Sequence, residues 1–163
     1  MRFLFVDRII SFVPDRSIEV LKNVTNTEDI FDDHFPGYPI LPGALVVEAF
    51  EQASQLLIGL SHDFARVGRL TGVQRAAFRR FVRPGDQLRV CCARTASDES
   101  VWMVSASATV EGWRVASAVL EFMLVPVTAD DDKGHAERLR EIARVLRQAP
   151  IDVAGRGGAA CAT

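Results

Sequence analysis

Apolar residues alternate loosely with polar ones over residues 3–12, and Phe, Val and Ile dominate, which predicts a strand. Val13-Pro14-Asp15-Arg16 has turn chemistry. Residues 17–25 then place Ile18, Val20 and Val24 on one side, with Lys22 among them, so a second strand closes a hairpin. Residues 26–41 hold two prolines, a glycine and several acids, an irregular loop with a fixed path. The long helical segment runs over 42–60, with proline in its first turn. Its apolar residues cover most of the circumference. Glu48, Glu51, Gln52 and Gln55 form one narrow polar stripe at i, i+3, i+4 and i+7. A helix apolar nearly all round is a buried helix.

Four strand-like stretches follow, at 70–81, 87–96, 101–110 and 113–127, with hairpin turns at 97–100 and 111–112. The order is two strands, loop, buried helix, four strands. The economical arrangement is α+β, a long central helix wrapped by an antiparallel sheet. From residue 128 the composition shifts. Asp130-Asp131-Asp132 precedes an amphipathic helix over 135–148, in which Leu139, Ile142, Val145 and Leu146 recur at helical spacing. Residues 150–163 are Gly- and Ala-rich and read as a disordered tail. The chain therefore divides into a domain over 1–127 and an addition over 128–163.

Length and composition narrow the class. The 163 residues suit one core, and 48% apolar against 25% charged residues excludes disorder as the main state. No apolar run reaches the roughly 20 residues of a membrane helix. An acid at position 7 interrupts the apolar start too early for a signal peptide, which points to the cytoplasm. A net charge of −2 gives no global attraction to nucleic acid. Cys91, Cys92 and Cys161 lack metal-site spacing and read as thiols rather than a disulfide framework.

Three features carry candidate chemistry. His34 sits in the proline-bounded loop, and an imidazole held rigidly is a natural general base near neutral pH. Glu48 lies on the polar stripe of a buried helix, where a carboxyl kept protonated by burial can act as a general acid. At Pro42-Gly43 the free N–H groups of a helix start can stabilise charge on an oxygen, and glycine admits a ligand close to the backbone. Taken singly, His34 and Glu48 each have a plainer reading: a loop histidine and a wet helix face. A base, an acid and an oxyanion site so close in sequence are the parts that remove a proton beside a carbonyl and expel a β-substituent.

His34-Phe35-Pro36-Gly37-Tyr38-Pro39-Ile40-Leu41-Pro42-Gly43, with Glu48 and Gln52, resembles the signature of the 3-hydroxyacyl-acyl-carrier-protein dehydratases of the FabZ type. So do Phe78-Arg79-Arg80 and Val82-Arg83-Pro84-Gly85-Asp86-Gln87-Leu88, and, in the opening hairpin, Phe5-Val6-Asp7-Arg8 and Lys22-Asn23-Val24-Thr25. The resemblance covers about residues 3–127. It implies the hot-dog fold and a homodimer with shared active sites, often assembled as a trimer of dimers. His34 would take the C2 proton, and Glu48 of the other subunit would deliver a proton to the leaving hydroxyl. The Gly43 N–H would polarise the thioester carbonyl, the Ile40 carbonyl would orient His34, and Gln52 would support Glu48. No metal and no organic cofactor is implied. Two features depart from the family pattern: Asp33 stands where the family usually has glycine, and residues 128–163 have no counterpart.

Residues 66–94 hold eight arginines against the single acid Asp86. Solvated strand edges would explain them. Nucleic acid fits poorly, since few aromatics are interleaved. The sharper expectation is docking of an acidic acyl carrier protein, led by Arg79, Arg80 and Arg83. Sequence thus favours a dehydratase of 3-hydroxyacyl carrier thioesters, serving fatty-acid or specialised acyl or polyene biosynthesis. A hot-dog thioesterase and a non-catalytic acyl- or carrier-binding subunit are the rivals.

Overall fold

A computed structural model describes residues 4–34, 37–98 and 100–147, without the side chains of Asp32, Asp33, Ala96 and Ser97. Strands β1 (Arg8–Val13) and β2 (Ser17–Asn23) form the first hairpin. A short helical turn α1 (Ile30–Asp33) precedes the long helix α2 (Gly43–Ser61). Strands β3 (Arg66–Phe78), β4 (Gln87–Ser97), β5 (Val101–Val110) and β6 (Trp113–Pro126) follow, then helix α3 (Asp130–Leu146). All six strands form one antiparallel sheet in the order β1-β2-β4-β5-β6-β3, so β1 and β3 are its edges.

The sheet wraps α2 as the apolar circumference requires. Phe50, Leu57 and Ile58 of α2 are fully buried, in one core with Leu88, Val90, Val104, Leu120 and Phe122 from the inner face of the strands. Each such side chain contributes roughly 1.5–3 kcal/mol by leaving water. β5 shows the alternation behind this, with Trp102, Val104, Ala106 and Ala108 buried and the residues between them half-buried.

The turns follow their residues. Glu111 and Gly112 both take positive φ (50° and 81°), the two-residue hairpin geometry that matches strand twist. Asp98 Oδ1 accepts the N–H groups of Ser100 and Val101, each at 2.7 Å, and these bonds hold its carboxyl below the usual aspartate range. His62 ends α2, its N–H donating to the Ile58 carbonyl at 3.2 Å.

Some elements differ from expectation. β3 begins at Arg66 rather than near 70, because its early residues pair with the end of β6. The loop before α2 contains the α1 turn, too short for hydrophobic periodicity to reveal. α3 starts at Asp130, five residues early, since Asp130, Asp131 and Asp132 favour the positive end of a helix dipole. His135 is therefore a half-buried residue inside the helix rather than its first residue. Cys92 is a buried free thiol, pushed up to about 12 by burial, whereas Cys91, on the opposite face of β4, is disulfide-bonded rather than a thiol. Phe35, Pro36 and the tail at 150–163 lie outside the described residues. Among the described residues no helix is long and apolar enough to cross a membrane.

Candidate active site

The polar stripe of α2 is organised as two parallel glutamate–glutamine pairs. Gln52 Nε2 donates to Glu48 Oε1 at 2.8 Å, and Gln52 Oε1 accepts the Phe5 N–H at 2.8 Å. Three residues along, Gln55 Nε2 donates to Glu51 Oε1 at 2.9 Å and also to the Gly68 carbonyl, while the Gly68 N–H returns a bond to Gln55 Oε1 at 3.2 Å. Each glutamate is held by a glutamine four residues on, and each glutamine is anchored to backbone outside the helix. The i, i+4 spacing makes this possible, because those side chains are neighbours on one face. Burial pushes the Glu51 carboxyl above the usual glutamate range; its hydrogen bond from Gln55 opposes this and the charge of Glu48 adds to it.

Glu48, Glu51, Gln52 and Gln55 line a cleft of about 270 Å³. Its other walls are Leu4 and Val6 from the N-terminal segment and one stripe of α3. His34 is not among the cleft's lining residues. The histidine caps α1, half-buried, with its backbone N–H donating to the Ile30 carbonyl at 3.0 Å.

Gly43 is the first residue of α2, after Pro42 at φ −56° and ψ 138°. Leu45 and Val46 N–H both reach back to the Pro42 carbonyl, at 3.0 and 3.2 Å. The earlier N–H groups of the turn have no acceptor within the helix, the property an oxyanion site uses. A Cβ on Gly43 would lie 3.0 Å from the Phe78 ring, so that ring closes directly over the helix start. The approach to Gly43 is set by the Leu41 N–H donating to the Val82 carbonyl at 2.7 Å, one residue past Ile40, which is half-buried.

The arginines of the basic stretch divide by partner. Arg79, Arg80 and Arg83 are exposed beside Phe81 and Trp113, which are exposed too. The Arg80 guanidinium stands 4.6 Å from the Trp113 ring centroid. Arg83 donates to the Tyr38 hydroxyl at 2.6 Å and stands over the same ring. Arg69 and Arg89, by contrast, are paired with Asp132 and Glu19. Among the described residues no three His, Cys, Asp or Glu side chains cluster to hold a metal ion.

Sequence reasoning missed the partners of this site. The Glu51–Gln55 pair repeats the Glu48–Gln52 spacing and was visible in the stripe. Phe5 and Gly68 act through backbone and leave no side-chain signal, and the α3 wall depends on tertiary docking.

A long helix inside an antiparallel sheet with this strand order defines the hot-dog class. A solved hot-dog-like protein from Thermanaerovibrio acidaminovorans shares the fold, with a TM-score of 0.61, 13% identity, and coverage of 80% of this chain and 93% of its own. A family model described as a FabA-like domain matches residues 1–119. The 3-hydroxyacyl-[acyl-carrier-protein] dehydratase FabZ of Myxococcus xanthus is 39% identical over 133 residues, spanning 80% of this chain and 86% of the relative. That of Geobacter metallireducens is 42% identical over 113 residues, spanning 68% and 75%. The chain belongs to the FabZ-type dehydratase family.

Proposed function

We propose that this protein dehydrates 3-hydroxyacyl thioesters carried on acyl carrier protein to trans-2-enoyl thioesters, in fatty-acid or specialised acyl biosynthesis. The observation that carries the reading is the Glu48 carboxyl, fixed by Gln52 on the wall of a cleft in a chain of this family. His34 takes the C2 proton. The C2 electron pair forms the double bond as the C3–O bond breaks, and Glu48 donates the proton that lets hydroxide leave as water. The Gly43 N–H binds the thioester oxygen as negative charge develops there, with the helix dipole behind it. The Ile40 carbonyl orients the imidazole, and Gln52 holds Glu48 in place.

The working unit in this reading is a homodimer in the cytoplasm, with His34 of one copy facing Glu48 of the other. It accords with His34 not being among the residues that line the cleft at Glu48. It accords also with β3, a 13-residue edge strand with Leu70 and Val73 exposed, a ready surface for pairing with a second copy. A trimer of such dimers is the further assembly proposed. The catalytic domain is residues 1–127, and 128–163 is an addition to it. Arg79, Arg80 and Arg83 receive the acidic carrier protein.

Incubation with a 3-hydroxyacyl carrier thioester, followed by mass analysis, tests the reading. Loss of one water is expected. Release of the free acid instead would make the protein a thioesterase, and an unchanged thioester would make it a binding subunit.

A further inference from the structure

Helix α3 closes the cleft on which Glu48 opens. His135, Arg138, Leu139 and Ile142 recur at i, i+3, i+4 and i+7, one stripe of the helix, and all four line the cleft opposite α2. The wall is built in. Arg69 Nη2 on β3 lies 2.9 Å from Asp132 Oδ1 in the first turn of α3. Arg140 Nη2 donates to the Asp63 carbonyl at 3.3 Å, and its guanidinium stands 5.2 Å from the Phe64 ring centroid. Ala136, Leu139, Ala143 and Leu146 are buried in the common core.

The cleft is less polar than its residue names suggest. Burial pushes the Glu51 carboxyl up and, as the largest cause, pushes the His135 imidazole down. Both directions favour the uncharged form. The two glutamine amides are occupied by the glutamates and by the backbone of Phe5 and Gly68. Leu4, Val6, Leu56, Leu139 and Ile142 supply the apolar surface. At about 270 Å³ the cleft is near the small end of the roughly 300–1,000 Å³ typical of ligand pockets, enough for part of a chain.

We propose that this cleft seats the acyl chain beyond C3, and that α3, through Leu139 and Ile142, sets the length of chain accepted. The inference rests on the dehydratase reading only for the position of C3 at Glu48. Glu48 lines the cleft, so with C3 at that carboxyl C4 and the carbons after it enter between α2 and α3. Each methylene buried there is worth about fourfold in affinity.

The test measures binding, apart from turnover. Four-carbon and twelve-carbon trans-2-enoyl pantetheine thioesters are titrated by calorimetry into the full chain and its variants. Wild type is expected to prefer the longer chain by about tenfold or more. Ile142→Trp narrows the cleft and abolishes that preference. Ile142→Ala widens it and moves the preference to chains longer still, which guards against a variant that merely misfolds. Val145→Trp, on a residue of α3 that is 46% exposed and outside the cleft lining, keeps the wild-type ratio. An unchanged preference in both Ile142 variants, or none in wild type, overturns the proposal. Length preference without any water loss from 3-hydroxyacyl thioesters would refute the dehydratase reading and leave the α3 wall standing.

Discussion

The Gln52 side-chain amide presents its N–H to the Glu48 carboxylate at 2.8 Å. The other end of the same amide accepts the Phe5 N–H, so the amide cannot turn over without losing both bonds. A residue tied to backbone in this way positions its partner. Gln52→Leu keeps the bulk and removes the donor. Its kcat is expected to fall about ten- to a hundredfold, the range set by the roughly 1.5–3 kcal/mol of a hydrogen bond to a charged group. KM should move less. Gln52→Glu adds a second carboxylate four residues from Glu48, and the pH–rate profile should shift to higher pH, because like charge disfavours ionisation. Steady-state kinetics across pH checks both. A residue that merely packed would change the unfolding temperature and leave the profile in place.

The proposal that His34 and Glu48 act from different copies makes a sharper demand. If one copy supplies the histidine and another the carboxyl, His34→Ala and Glu48→Gln are each inactive alone. Co-expressed, they assort at random into dimers, about half of them hybrids with one intact site and one doubly damaged site. Recovery of about a quarter of wild-type activity is then expected. A site built within one chain would recover none. Turnover of the purified mixture, with subunit exchange followed by mass, decides it.

Arg79 and Arg80 are exposed, and the Arg80 guanidinium stands over the ring of Trp113, which is 62% exposed. Paired charge and aromatic surface of this kind suits an acidic protein partner. Charge reversal at both positions should raise KM for carrier-bound substrate about tenfold at low salt, with a far smaller effect on a pantetheine thioester. The difference should fade toward 1 M salt, where screening shortens to about 3 Å. Equal effects on both substrates would remove the carrier from the explanation.

What could be read from sequence divides along physical lines. α2 was legible almost to the residue, because an apolar circumference broken by one polar stripe has a single explanation. β5 and the Glu111-Gly112 turn were legible because alternation and turn chemistry are local. The start of β3 was not, since Arg66 and Arg69 carry no strand signal and pair only because β6 lies beside them. The site showed the same split. Glu48 and Gln52 could be matched by spacing. The backbone anchors at Phe5 and Gly68, and the α3 wall beside Glu51, arise from contacts 13 or more residues apart in the chain.

Gly68 gives a stability prediction. A Cβ there would lie 2.6 Å from Ile58 Cδ1 and 3.0 Å from Phe122 Cδ1, both in the core, on the strand that anchors Gln55. Gly68→Ala overpacks that contact and should cost about 1–3 kcal/mol. Gly72, four residues along β3, has only Glu121 Cβ within reach, at 3.9 Å. Gly72→Ala should be neutral or mildly stabilising by comparison. Urea unfolding of the two variants side by side tests the contrast.

Glu51 ties the site to pH. Its carboxyl is raised from the ordinary 4.5, chiefly by burial, then held back by Gln55 and pushed up further by Glu48. The folded state therefore holds this proton more tightly than the unfolded chain does. As pH rises through the interval between the unfolded and the raised folded pKa, the unfolded state loses its proton first, and stability falls. Above that interval the penalty is complete. Gln is neutral at every pH and still accepts the Gln55 hydrogen bond through its carbonyl, so Glu51→Gln removes the penalty and little else. The variant should match wild type or fall slightly below it near pH 4 and exceed it at pH 8. Urea denaturation at the two pH values measures the crossing. Parallel curves at both would show that the carboxyl ionises as freely in the folded protein as in the unfolded chain.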